Sequence, residues 1–99
     1  PPYGTRLDLA PKLDKTLKPV MSGGAPEMAP AGSIAVRNAI EKYQPILGLH
    51  GHIHESRGVE KIGRNTCVNP GSEYGEGIVR GCLINIDKDS VKSYLFTSG

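Results

Sequence analysis

The sequence has no tryptophan, only two cysteines, and no concentration of charge of either sign. Each shortage removes a class of explanation. Cys67 and Cys82 are too few for the disulfide framework of a small secreted domain, and they read as buried free thiols in a reducing cytoplasm. No stretch approaches the ~18 apolar residues of a membrane span. No basic stretch leads into an apolar core as a signal peptide would. The formal net charge is +2 with Lys and Arg scattered, which gives no footprint for nucleic acid or a membrane surface. Phosphate-cradling G-x-x-x-x-G-K-[ST], the G-x-S-x-G elbow and Cys-x-x-Cys are all missing, so nucleotide-loop, serine-hydrolase and zinc-ribbon chemistry find no support.

What is present suits one domain, or a piece of one, with a thin core. A chain of 99 residues buries roughly 60–65% of its unfolded surface. Thirteen Gly and eight Pro assign much of it to turns. It opens at Pro1-Pro2 without Met, in loop-like composition, as a processed chain or a fragment of something longer would.

Residues 1–32 read as loop-rich. Leu7, Leu9, Leu13 and Leu17 suggest a short amphipathic turn limited by Pro11 and Pro19. Residues 21–32 read as a surface loop of small residues and proline. Residues 33–99 read as helix and sheet. Ser33 is the expected N-cap, followed by Val36, Ala39, Ile40 and Tyr43 as one apolar stripe, with Pro45 ending the helix. Ile46-Leu47-Gly48-Leu49 predicts a strand buried on both faces. Segments 59–62 and 66–69 predict a pair around Gly63-Arg64-Asn65, and segments 78–86 and 91–96 a hairpin. Together they predict a two-layer α/β piece with an open sheet edge.

All three histidines fall within five residues, at His50, His52 and His54. In an extended segment they project to one side, where imidazoles can converge on a point. Neutral imidazole suits Zn, Mn, Fe or Ni. A bare His-x-His reads equally as a surface patch without metal. Its neighbours shift that balance.

Gly51-His52-Ile53-His54 matches the G-H-x-H motif of calcineurin-like metallophosphoesterases. Pro1-Pro2-Tyr3-Gly4-Thr5 with Asp8, then His52-Ile53-His54-Glu55, Gly58 and Asn69-Pro70-Gly71-Ser72, resemble that family in the same order. The resemblance covers most of residues 1–96, with 21–30 unmatched. It implies the C-terminal part of a four-layer α/β-β/α sandwich. It further implies a phosphomono- or diesterase with two divalent metal ions (Mn, Zn, Fe or Ni), one bound by His52 and the other by His54. The family's Asp-x-His, Gly-Asp and Gly-Asn-His motifs are not in the chain, so the partner implied is the N-terminal half of the same domain. These residues by themselves would then be inactive. The rival reading is a non-catalytic scaffold of the same fold with a degenerate metal site; a stand-alone metal-binding module ranks third. A half-sheet with open edges could also pair into a homo-oligomer.

Further candidates surround the pair. His50 is a pocket residue or a strand-end histidine bonded to backbone. Glu55 could accept an imidazole N–H or face solvent. Asn69 and Ser72 read as loop-shaping first and substrate-facing second. Arg37, Arg57, Arg64 and Arg80 could each contact phosphate; no spacing singles one out, and Arg57, three residues after His54, is preferred. Cys67 reads as core before ligand.

Overall fold

A computed structural model describes all residues, 1–99. Strand and bridge residues make up 44% of the chain, against one short helix, and the strands fall into four small sheets. The expected α/β-β/α sandwich piece is therefore overturned. One ten-residue helix that gives only Ile40 to the core does not supply the helical layers such a sandwich needs.

The first surprise is residues 1–32. Strand β1 (Leu9–Pro11) pairs antiparallel with β4 (Met28–Pro30), and between them β2 (Met21–Ser22) pairs with β3 (Ala25–Pro26). The stretch expected to be loop is a narrow ribbon folded back on itself. Its base is tied by Asp8, a fully buried carboxylate that accepts the backbone N–H of Gly4 (2.9 Å), Thr5 (3.0 Å) and Gly32 (3.0 Å).

Helix α1 (Ile34–Tyr43) starts where Ser33 predicts, its hydroxyl accepting the Val36 N–H at 3.1 Å. Gln44 closes it in a left-handed conformation just before Pro45. Of the expected apolar stripe only Ile40 is buried, while Val36, Ala39 and Tyr43 face solvent.

The central sheet joins β5 (Leu47–Leu49), β7 (Asn65–Asn69) and β6 (Gly58–Ile62) in the order β5-β7-β6. β5 runs parallel to β7, and β6 antiparallel to it. The expected pairing around residues 63–65 holds. Gly63, at φ +61, takes the first central place of the two-residue turn, and a Cβ there would collide with the Gln44 carboxamide. β7 is buried at every position. β5 is not covered on both faces as its apolar run predicts: it is an edge strand, and Leu49 is exposed.

Residues 74–76 form a 3₁₀ turn leading to the hairpin of β8 (Arg80–Ile86) and β9 (Val91–Ser98). The core is one cluster, Leu7, Ile40, Ile62 and Cys67, where ribbon, helix and central sheet meet. No helix is long and apolar enough to cross a membrane.

Candidate metal centre

β5 delivers the histidine loop. Its ladder ends with the His50 N–H donating to the Val68 carbonyl at 2.9 Å. The chain then turns sharply: the Ile53 N–H donates to the Gly51 carbonyl at 2.9 Å, across His52 at φ +72. A hydrogen bond spanning one intervening residue at positive φ is a γ-turn, a conformation that costs a non-glycine residue about 1–3 kcal/mol. The next four residues close a second turn, with the Ser56 N–H donating to the Ile53 carbonyl at 3.2 Å.

Three contacts hold this strained segment. Ile53 is buried, and so plugs the loop into the body of the protein. Asn69, at the end of β7 and 1% exposed, donates its carboxamide to the Ile53 carbonyl at 2.9 Å and more weakly to Leu7 at 3.4 Å. Its oxygen accepts the Gly71 N–H at 2.9 Å, and the Ser72 N–H donates to the His54 carbonyl at 3.3 Å. Asn69 and Ser72 thus shape the loop, as the turn chemistry of Asn-Pro-Gly-Ser suggests.

The three imidazoles do not converge, which corrects the expectation drawn from their spacing. Alternate residues share a side only while the backbone stays extended, and His52 ends that run. His50 turns inward to an apolar cleft of about 500 Å³ between the central sheet and the β8–β9 hairpin. Its Nε2 is buried with no hydrogen-bond partner, and burial holds its pKa below the usual histidine value. A Cβ on Gly48 would come within 2.6 Å of that nitrogen, so only glycine lets the ring lie there. His52 and His54 are both exposed.

His54 borders a second, polar cleft of about 600 Å³, which also gathers Glu55, Arg57, Ser72, Tyr74 and Arg80. Its ring stands edge-to-face with Tyr74, centroids 5.6 Å apart at 82°. Glu55 is exposed at the rim. Arg57 lies with its guanidinium carbon 5.4 Å from the Phe96 ring centre, and no carboxylate pairs with it. Arg80, by contrast, is ion-paired with Glu73. Cys67 lies elsewhere, buried in the core with its thiol donating to Asn65 Oδ1 at 2.6 Å.

No family model matches the chain, and no curated protein or solved structure matches it. Its chemistry has to be read from its own residues.

As a donor set, those residues fit part of a metal site. His52 and His54 leave two imidazoles accessible on one short, locked loop. Nowhere in the chain do three His, Cys, Asp or Glu side chains gather closely enough to hold an ion unaided. What sequence reasoning missed is Tyr74 and the pairing of Arg80 with Glu73. Tyr74 reaches His54 only through the 3₁₀ turn, and no spacing in the sequence announces that.

Proposed function

We propose that residues 51–54 supply two imidazole ligands to the dinuclear centre of a metal-dependent phosphoesterase of the calcineurin-like kind, with its other ligands donated by a segment outside these residues. The observation that carries this reading is the γ-turn at His52. A strained φ on an exposed polar side chain, locked by a buried neighbour and a buried carboxamide, is what a positioned ligand requires and a solvated histidine does not.

Two bound ions would polarise a phosphate ester and lower the pKa of water beside it. The chain's own residues do the rest. Ile53 and Asn69 fix the backbone that carries the two imidazoles, which limits the entropy lost on binding. Arg57, free of any carboxylate, faces the cleft where an anionic ester would lie. Imidazole donors alone accept Mn, Zn, Fe or Ni. The two free thiols support a reducing compartment, the cytoplasm.

The test uses the full-length protein loaded with Mn²⁺ and p-nitrophenyl phosphate as substrate. His52→Ala and His54→Ala should each lower kcat/KM by about 100-fold or more and reduce bound metal, with the circular dichroism unchanged. Hydrolysis that persists in both variants would remove the histidines from the site. Stoichiometric metal without turnover in the wild type would favour the non-catalytic scaffold, a reading to which exposed Val36 and Tyr43 on α1 lend a surface for contact.

A further inference from the structure

The cleft beside His54 carries information about the ester that the histidines do not. Its acids outnumber its bases: Glu55, Glu73 and Glu76 face Arg57 and Arg80, and the Glu73–Arg80 ion pair is already closed. Affinity for an ester therefore cannot come from a surplus of positive charge there. Arg57 is the cation left over. Its position over Phe96 holds it by a cation–π contact that does not neutralise it.

A source of affinity that does not depend on charge is Tyr74. Tyr74 is 76% exposed, although tyrosines usually find cover, and it lines the cleft from a turn braced by the Gly77 N–H on the Tyr74 carbonyl at 3.0 Å. His54 meets it at 82°, so the imidazole covers at most one face of the ring. At 76% exposure most of the residue stays open, and it lines the same cleft as the histidine that the proposed centre uses.

We infer that this cleft selects a phosphate ester bearing a planar aromatic group, an aryl or nucleobase ring against Tyr74 with the phosphate toward Arg57. The inference rests on the proposed phosphoesterase reading, and it makes Tyr74 the specificity-determining residue. Stacking on an exposed ring is tolerant of ring identity, so the class is aromatic rather than one particular base.

Calorimetry with two non-hydrolysable probes tests it on the Mn²⁺-loaded full-length protein. Phenylphosphonate should bind about ten-fold more tightly than methylphosphonate. Tyr74→Ala should erase that margin, leave methylphosphonate affinity within about two-fold, and Tyr74→Phe should keep it. Arg57→Gln should weaken both probes alike. Equal affinities in the wild type, or a margin that survives Tyr74→Ala, would overturn the assignment of Tyr74. An Arg57→Gln variant that binds both probes normally would overturn that of Arg57. If the margin behaves as expected in a protein that hydrolyses no phosphate ester, the cleft assignment stands and the phosphoesterase reading falls.

Discussion

The carboxamide of Asn69 donates to the carbonyl of Ile53 at 2.9 Å, which clamps the one residue lying between the two exposed histidines. Asn69→Ala leaves the Leu7 carbonyl and the Gly71 N–H without their Asn69 partner, and leaves the Ile53 carbonyl with only the Ser56 N–H. Unsatisfied buried groups of this kind cost about 1–3 kcal/mol, visible as a lower denaturation midpoint. Metal affinity of the full-length protein should fall about 10- to 100-fold as the loop loosens. Lost stability with metal affinity intact would mean that the clamp serves only the fold.

His52 offers a sharper separation of stability from function. At φ +72 a glycine is comfortable and an alanine is strained. His52→Gly should therefore be more stable than His52→Ala by about 1 kcal/mol in urea unfolding, while both lose the same metal ligand. Equal stability of the two variants would mean that the turn carries no strain.

How much of this was legible beforehand depends on what sets each element. The Ser33 cap, the stop at Pro45 and the pairing around Gly63 were readable, because each depends on residues within one turn of itself. Residues 1–32 were not. Strands of two or three residues are too short to show a period, and the base of the β1–β4 pair is tied by Asp8, whose three partners lie up to 24 positions away. The histidine spacing misled for a related reason. The φ of His52 is held by Asn69, 16 residues beyond Ile53, so local alternation could not foresee it. The apolar stripe on α1 was correctly periodic, yet the chain provides little to cover it beyond Ile40.

Asp8 makes a prediction confined to the ribbon. Its two oxygens accept three backbone N–H groups, a load that a carboxamide carries poorly because one oxygen becomes a donor. Hydrogen bonds to a charged acceptor contribute about 1.5–3 kcal/mol each when lost from a buried site. Asp8→Asn should thus speed hydrogen exchange at the amides of Gly4, Thr5 and Gly32 by ten-fold or more, while amides of β7 keep their protection. Uniform loss across both regions would make Asp8 a support of the whole fold.

Cys67 supplies the pH dependence. Burial, reinforced by the negative charge of Glu60, pushes its thiol from 9.0 up to about 11. Between those values the folded chain keeps a proton that the unfolded chain has released. Stability from this group is therefore complete below pH 9.0 and is lost as pH rises through about 11. Other groups titrate in that range, so the informative quantity is the difference between wild type and Cys67→Ala. Alanine gives up the thiol's hydrogen bond to Asn65 and leaves a small void, so at pH 7 it should be the less stable of the two. That gap should narrow as the pH climbs from 9 to 11, because only the wild type has a buried thiol that must stay protonated. Alkylation gives an independent check: at pH 8 iodoacetamide should label half-buried Cys82 first and reach Cys67 only on unfolding. A gap that stays constant with pH, or Cys67 labelling as fast as Cys82, would show that the thiol is open to solvent and its proton is not held by the fold.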